Sequence, residues 1–228
     1  REAHRWSPAR SEAKHDRVVV VASAMKGITD QLISVATAAE AGDDSWTDAI
    51  EEIRLRHRST ADTLLGDDAA SYHAELDELL EGLSNVLQGI QLVRECSPRS
   101  MDLVMSFGER MSCMMIARVL AAGGLDSSFR DARTMILTDT RFGNARVNLE
   151  QSYITIRARL AADESVPVVP GFIASSPDGA TTTLGRNGSD YTASILGAAL
   201  SADRVEIWTD VDGVLSADPR TVPAAFVV

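Results

Sequence analysis

Four consecutive valines at residues 18–21 constrain the fold of this chain more than any other feature. A short, continuous apolar run is typical of a strand that is buried on both faces in a parallel sheet. Residues 29–41 follow with a helical pattern that Gly42 closes. The sequence therefore predicts a strand–turn–helix unit, which favours an α/β fold.

The central part of the chain is predicted to be helical. Residues 46–94 carry apolar side chains at three- and four-residue steps, namely Leu76, Leu79, Leu80, Leu83, Val86 and Leu87. Ser97-Pro98 is a good helix start, and Gly123-Gly124 is a good helix end. Between them we expect one helix with a possible break at residues 106–108, and Glu109 would then begin its second part.

The remaining segments alternate between strands and helices. Strands are predicted at residues 125–131 and 166–175, with a hairpin partner at 180–184 and a short strand at 205–207; helices are predicted at 148–162 and 189–200. We expect a layered α/β fold with a mostly parallel central sheet covered by helices. Residues 1–16 are predicted to be a polar tail, and residues 17–228 a single domain.

Composition excludes several classes of function. The net charge of −11 argues against a surface for nucleic acids or for anionic membranes, and an enzyme with anionic ligands would have to collect its cations locally. No apolar run approaches the about 20 residues that span a bilayer. Cys96 and Cys113 lie at no metal or redox spacing. We expect a cytoplasmic protein that provides no metal site of its own.

A glycine-interrupted polar loop at residues 185–188 leads directly into the predicted helix 189–200. Ser189 can cap this helix, and Asp190 lies in its first turn. The free N–H groups of a helix start attract anions, and Arg186 adds a planar cation that suits a carboxylate or a phosphate. The pattern indicates an anion-handling site, although an ordinary strand-to-helix turn fits the spacing equally well.

Four motifs in order connect this loop to a known family. They are residues 18–30, Ser-Phe-Gly-Glu-Arg-Met-Ser at 106–112, Leu-Gly-Arg-Asn-Gly-Ser-Asp-Tyr-Thr at 184–192, and Trp-Thr-Asp-Val-Asp-Gly-Val at 208–214 with Ala-Asp-Pro-Arg at 217–220. Together they resemble aspartokinase, of the amino-acid kinase family, and most of all the kinase half of bifunctional aspartokinase–homoserine dehydrogenases.

The resemblance implies an activity, its substrates and an assembly. An aspartokinase transfers the γ-phosphoryl group of ATP to the side-chain carboxylate of L-aspartate, the first step towards lysine, threonine and methionine. Mg²⁺ would enter bound to the nucleotide phosphates. The resemblance also implies a homo-oligomer in the full-length protein.

The resemblance assigns residues to both halves of the site. On the aspartate side it implies Ser23, Thr29, Glu109, Phe172, Arg186, Ser189 and Asp190. Among these, Glu109 would bind the α-amino group, Arg186 would bind a carboxylate and Phe172 would pack over the amino acid; Arg186, Asp190 and Glu109 would take part in catalysis. On the nucleotide side it implies Thr209 and Asp210, at the end of the strand 205–207, and Arg220 at the phosphates.

The sequence also departs from the family pattern. The family opens with a strand ending in Lys-Phe-Gly-Gly, which is absent here, and the only lysines are Lys14 and Lys26. The chain stops at Val228, before a helix that carries a second family lysine, and Leu215 replaces a tyrosine of some members. We therefore expect a catalytic domain that lacks the family's first strand, is incomplete at both ends, and is weak or inactive alone.

Three alternatives remain open at this stage. The first is an incomplete aspartokinase domain. The second is another amino-acid kinase, acting on glutamate or its derivatives. The third is a non-catalytic ligand-binding or assembly module that kept the pocket. Loss of a first strand would also leave strand edges unpaired, so we expect this chain to fold poorly or to associate.

Overall fold

The computed structural model describes residues 17–208, 216–217 and 221–226. Its strands are β1 (Val20–Ala22), β2 (Ser127–Phe129), β3 (Val166–Pro170), β4 (Ile173–Ser175) and β5 (Thr181–Thr183). Its α-helices are α1 (Ile28–Ala41), α2 (Trp46–Leu65), α3 (Ala69–Val93), α4 (Pro98–Ala122), α5 (Leu149–Leu160) and α6 (Gly188–Leu200). Short 3₁₀ turns cover Gly66–Asp68 and Ala132–Thr134. The predicted α/β class is confirmed.

A parallel sheet of order β1-β3-β2 forms the centre of the α/β part. Val20 of β1 and Phe129 of β2 both pair with Val168 of β3. Val168 and Val169 are fully buried, whereas β1 is only half-buried and Val18 is 50% exposed. The valine run packs on both faces as predicted, with Val19 and Val21 against one apolar cluster and Val20 against another. Its burial is only partial, and within the described residues β1 has a neighbouring strand on one side alone.

The predicted strand 166–175 is two strands in two sheets. Phe172 separates them with a φ of 65°, a left-handed conformation that ends the extended backbone of β3. Beyond it, β4 pairs in antiparallel orientation with β5, and Ile173 lies opposite Thr183. The hairpin partner predicted at 180–184 is confirmed, and the bend at Phe172 directs the chain away from the parallel sheet.

The helical half packs α1, α2, α3 and α4 around one apolar core. Five of the predicted leucines are buried in it, namely Leu76, Leu79, Leu80, Leu83 and Leu87. Ser97 caps α4, because its Oγ accepts a hydrogen bond from the N–H of Ser100 at 3.2 Å. The break predicted at residues 106–108 is wrong. Helix α4 is continuous there, so Glu109 lies in its middle and not at a helix start.

The second half packs α5 and α6 against the sheet. Asn148 caps α5 as predicted, with its Oδ1 accepting from the N–H of Gln151 at 3.1 Å. The guanidinium of Arg157 donates to the carbonyl of Ala199 at 2.6 Å and so ties α5 to the end of α6. The strand predicted at 205–207 is wrong: these residues are irregular, and Ile207 is about half exposed.

Candidate active site

The carboxyl ends of β1 and β3 lie side by side, and the predicted aspartate-side residues follow them. Ser23 comes directly after β1, and Gly171 directly after β3. The N–H of Gly171 donates to the carbonyl of Ala22 at 2.9 Å, which holds the two strand ends together. Open α/β sheets bind their ligands at this edge. Ser23 and Phe172 are therefore at an edge where a ligand can be bound.

The start of α6 reaches the same edge. The hydroxyl of Ser23 donates to Ser189 Oγ at 2.7 Å, although the two residues are far apart in the sequence. Ser189 is not the helix cap that the sequence predicts, because α6 begins at Gly188 and the capping position is Asn187, with a φ of 57°. The left-handed Asn187 moves Ser189 into the first turn, where its side chain contacts Ser23.

Two glycines allow this close approach of strand and helix. A Cβ atom on Gly171 would lie 2.6 Å from Ser189 Cβ, and one on Gly188 would lie 2.7 Å from Phe172 Cδ2. Phe172 also donates its N–H to Thr192 Oγ1 at 3.1 Å, and Thr192 donates to the carbonyl of Gly188 at 2.9 Å. Phe172 and the first turn of α6 therefore form one packed unit.

Arg186 lies in the turn between β5 and α6. Gly185 has a φ of 76°, so the turn has left-handed residues on both sides of Arg186. The N–H of Leu184 donates to the carbonyl of Phe172 at 2.8 Å and anchors the turn to the end of β3. The Arg186 side chain and that of Asp190 are exposed. An exposed cation therefore lies two residues before a helix start, an arrangement that suits an anion.

Glu109 provides the buried charge of the site. It is 3% exposed, and its Oε2 has no hydrogen-bond partner among the described residues. Burial raises the pKa of its carboxyl to about 7, and the N–H groups of Glu109 and Ala24 offset part of that rise. The neighbouring Gly108 explains the close packing, since a Cβ there would lie 2.9 Å from Ala24 Cβ. Glu109 therefore lies against the loop that carries Ser23.

Further charges lie beyond the end of β2. Arg133 donates to Asp131 Oδ2 at 2.6 Å and to Thr181 Oγ1 at 3.1 Å. Burial alone would raise the pKa of the Asp131 carboxyl, but hydrogen bonds and charge from Arg133 hold it below its usual value. Arg110 lies over the ring of Phe107, with 4.7 Å from the guanidinium carbon to the ring centroid. Arginines are thus gathered near the sheet end of a chain that is acidic as a whole.

The other predicted residues have less defined surroundings. Thr29 lies in the first turn of α1 and is half-buried, on the same connection as Ser23. Lys26 is exposed on this connection. Thr209, Asp210 and Arg220, predicted on the nucleotide side, lie outside the described residues.

Two residues near the site were not predicted. Thr192 stands within a quoted motif, but its hydrogen bond to Phe172 becomes apparent only in three dimensions. Asp102 is fully buried and accepts hydrogen bonds from Gly143 and Thr183. Its spacing of two helical turns before Glu109 is the one sequence signal that could have drawn attention to it.

The described residues contain no group of three or more His, Cys, Asp or Glu side chains that could hold a metal ion. Among the helices described here, none combines the length and apolar character needed to cross a bilayer.

Comparison with known proteins decides the family. The model of the family described as "Amino acid kinase family" matches residues 9–228. The chain belongs to the amino acid kinase family. The chloroplastic bifunctional aspartokinase/homoserine dehydrogenase 2 of Arabidopsis thaliana is 36% identical over 222 residues, covering 93% of this chain and 24% of that protein. Lysine-sensitive aspartokinase 3 of Escherichia coli is 36% identical over 218 residues, covering 91% of this chain and 45% of that protein.

A solved structure of the same family agrees with the fold. The crystal structure of E. coli aspartokinase III in complex with aspartate and ADP matches with a TM-score of 0.82 at 33% identity, covering 93% of this chain and 46% of that chain. The predicted resemblance to aspartokinases is confirmed. This chain of the amino acid kinase family spans about a quarter of the bifunctional relatives and less than half of the E. coli enzyme.

Proposed function

We propose that this chain carries the catalytic site of an aspartokinase, which uses ATP to phosphorylate the side-chain carboxylate of L-aspartate. The observation that carries the proposal is the hydrogen bond of 2.7 Å between Ser23 and Ser189, which joins the end of β1 to the start of α6. The buried Glu109 lies against the loop that carries Ser23, and the exposed Arg186 lies in the turn before α6. E. coli aspartokinase III, with aspartate and ADP bound, has the same fold and supports the same pair of ligands here.

The proposed aspartate subsite uses charges of both signs. Glu109, whose Oε2 has no partner among the described residues, would accept hydrogen bonds from the α-ammonium group. Arg186 would bind a substrate carboxylate through two parallel N–H groups. The hydroxyls of Ser23, Thr29 and Ser189 would hold carboxylate oxygens. The ring of Phe172 would cover the carbon chain, which fits its half-buried position against Gly188.

The proposed reaction is a direct phosphoryl transfer. A side-chain carboxylate oxygen of L-aspartate forms a bond to the γ-phosphorus of ATP, and the bond from that phosphorus to the β,γ-bridging oxygen breaks. The products are 4-phospho-L-aspartate and ADP. Positioning and electrostatic stabilisation supply most of the catalysis in such reactions. The N–H groups at the start of α6 and Arg186 would offset negative charge, and Asp190 in the first turn would orient a cationic or hydroxylic group.

The nucleotide half of the proposal rests on the resemblance. Thr209 and Asp210 would contact ATP, and Arg220 would bind its phosphates. Mg²⁺ would enter bound to the phosphates of ATP and reduce their negative charge. The chain's own contribution is therefore to align the two substrates and to neutralise charge around them.

The proposed physiological setting follows the sequence expectations. We infer a cytoplasmic enzyme, homo-oligomeric in its full-length form, at the first step towards lysine, threonine and methionine. Large apolar side chains such as Leu92, which is 85% exposed, support contacts with a further subunit.

Trapping the acyl phosphate tests the proposal. The chain is incubated with ATP, Mg²⁺ and L-aspartate in the presence of hydroxylamine, which converts an acyl phosphate into a hydroxamate. We expect slow formation of aspartyl hydroxamate, because the 228 residues contain no Lys-Phe-Gly-Gly motif. Equal rates with L-glutamate would indicate another amino-acid kinase. Binding of both ligands without any hydroxamate would indicate the non-catalytic module.

A further inference from the structure

Asp102 joins three segments of the fold. It lies on α4, and its carboxylate is fully buried. The N–H of Gly143 donates to Oδ1 at 3.0 Å and to Oδ2 at 2.9 Å. Thr183 donates its N–H to Oδ2 at 3.0 Å and its hydroxyl to Oδ1 at 2.8 Å. One carboxylate thereby holds the loop around Gly143 and the end of β5 against α4.

The segment held by Asp102 leads directly to Arg186. Thr183 ends β5, and Arg186 follows three residues later. The carbonyl of Thr183 accepts from the N–H of Ala145 at 2.9 Å. A Cβ on Gly185 would lie 2.5 Å from Asn144 Oδ1, so the Gly143 loop also packs against the Arg186 turn. Both segments that Asp102 holds therefore determine where that turn begins.

Asp102 and Glu109 share a face of α4. Glu109 follows Asp102 by seven residues, which is two helical turns and about 10 Å along the axis. One end of this rigid segment fixes the strand before Arg186, and the other end carries the buried carboxyl beside the β1 loop. The helix therefore sets the separation between the two charged residues that would bind the ammonium group and a carboxylate of the amino acid.

We infer that Asp102 is a positioning residue for L-aspartate, which fixes the Arg186 turn relative to Glu109. This inference rests on the proposed function. Asp102 contacts no substrate, and it acts through Thr183 and the Gly143 loop. Its loss should raise the L-aspartate concentration needed for half-saturation and leave the affinity for ATP unchanged.

A matched pair of variants tests the inference. Asp102→Asn keeps the size of the side chain but replaces one acceptor oxygen with a donor. Asp163→Asn makes the same change at a carboxylate that also accepts from three donors, Ser165 N–H, Ser165 hydroxyl and Arg130 Nε. Asp163 lies between α5 and β3, before the amino end of β3 and so at the opposite end of the strand from Gly171. Its side chain is 8% exposed, so both substitutions disturb a well-bonded carboxylate.

Binding of L-aspartate and of a non-hydrolysable ATP analogue to each folded variant is measured by titration calorimetry. We expect Asp102→Asn to weaken L-aspartate binding about tenfold or more, because the substitution disrupts the hydrogen bonds to Gly143 and Thr183. Binding of the ATP analogue should stay within about twofold of wild type. Asp163→Asn should bind L-aspartate like wild type. Thr183→Val, which removes a single donor to Asp102, should weaken L-aspartate binding by a few-fold, and Thr183→Ser should restore it. If Asp102→Asn does not fold, the comparison of Thr183→Val with Thr183→Ser tests the inference.

The outcomes separate the inference from the proposed function. Wild-type affinity for L-aspartate in Asp102→Asn or in Thr183→Val would overturn the inference, and so would equal weakening by Asp163→Asn. Equal weakening of L-aspartate and ATP-analogue binding would also overturn it. Absence of L-aspartate binding by the wild-type chain would overturn the proposed function, and the inference with it.

Discussion

Glu109 and Arg186 carry opposite charges in opposite environments, and their chemistry follows from that difference. Glu109 is buried without a partner for Oε2 among the described residues, so its charged form is costly until a cation arrives. Arg186 is exposed and remains charged in solution. Under the proposed function, Glu109 would bind the ammonium group of an amino acid and Arg186 would bind a carboxylate.

The pH dependence of L-aspartate binding tests the role of Glu109. Burial raises the pKa of its carboxyl from 4.5 to about 7, so the ionised fraction in the free protein rises strongly between pH 6 and pH 8. If only the ionised form binds the ammonium group, the association constant should rise about tenfold over this interval. Glu109→Gln should bind weakly and show a flat profile. A wild-type profile that is flat, or that falls towards pH 8, would contradict the assignment.

The same raised pKa predicts a change in folding stability. The folded pKa of Glu109 exceeds the unfolded one, so the folded state binds more protons between pH 4.5 and about 7. Its stabilising contribution is complete below the unfolded pKa and is lost as the pH rises through the folded pKa. Relative to Glu109→Gln, the wild type should lose about 2.5 kcal/mol of folding stability between pH 5 and pH 8. Urea titrations at both pH values measure this difference.

Asp163→Asn is the control for that stability measurement. Hydrogen bonding to Arg130 holds the pKa of the Asp163 carboxyl below its usual value, so its contribution is already constant above pH 5. The free-energy difference between Asp163→Asn and wild type should therefore not change between pH 5 and pH 8. A pH-independent difference for Glu109→Gln as well would contradict the raised pKa.

Two arginine variants separate the aspartate and nucleotide subsites. Arg186→Ala should weaken L-aspartate binding about tenfold to a hundredfold, because it removes charged hydrogen bonds. Arg220→Ala should weaken binding of ATP instead. Calorimetric titration of each variant with each ligand checks the assignment. If both substitutions weakened the same ligand equally, the proposed division of the site would be wrong.

At the scale of elements, the contact between the end of β3 and the start of α6 requires glycine. Gly171→Ala would bring a Cβ within 2.6 Å of Ser189 Cβ and push α6 away from Ser23. The free energy of unfolding should fall by about 1–3 kcal/mol, and L-aspartate binding should weaken. Gly89→Ala, in α3 four residues before its end and with no atom within 4 Å of the new Cβ, should instead raise the free energy of unfolding by about 0.5–1 kcal/mol. Urea unfolding of both variants tests this, and equal stability of Gly171→Ala and wild type would exclude the close contact.

Elements with local signals could be predicted from the sequence. Gly42 after α1, Ser97-Pro98 before α4 and Asn148 before α5 all mark helix ends where the structure has them. These signals depend on capping groups close in the chain. Prediction failed where packing between distant segments decides the outcome. Gly108 does not break α4, because it permits contact with Ala24, and the bend at Phe172 divides a continuous apolar run.

The candidate site was predictable in part for the same reason. The family resemblance assigned Ser23, Phe172 and Ser189 to the site, and the structure brings these three together. The predictions that Ser189 caps α6 and that Glu109 begins a helix are wrong, because both positions depend on backbone geometry that the local sequence does not determine. Asp102 was missed, since its partners Gly143 and Thr183 lie far along the chain. The nucleotide-side roles of Thr209, Asp210 and Arg220 remain predictions.

At the scale of the whole molecule, two features act on self-association in opposite directions. Within the described residues β1 pairs with β3 alone, and Trp208 is 81% exposed. Unpaired edges and apolar surface favour association. The net charge of −11 opposes it through repulsion between copies.

We therefore predict salt-dependent self-association of this chain. Sedimentation velocity should show a larger average mass at 0.5 M NaCl than at 0.05 M NaCl, because salt screens the repulsion. A matched run at tenfold lower protein concentration should shift the population back towards monomer. A monomer at both salt concentrations, with one sharp urea transition, would contradict the prediction.

The most direct test of the central claim is a calorimetric titration of the wild-type chain with L-aspartate at pH 8. We predict one binding site per chain, with L-glutamate bound about tenfold or more weakly because its extra methylene does not fit. Arg186→Ala should lose most of this binding. No binding of L-aspartate, or equal binding of L-aspartate and L-glutamate, would contradict the assignment of this site to L-aspartate.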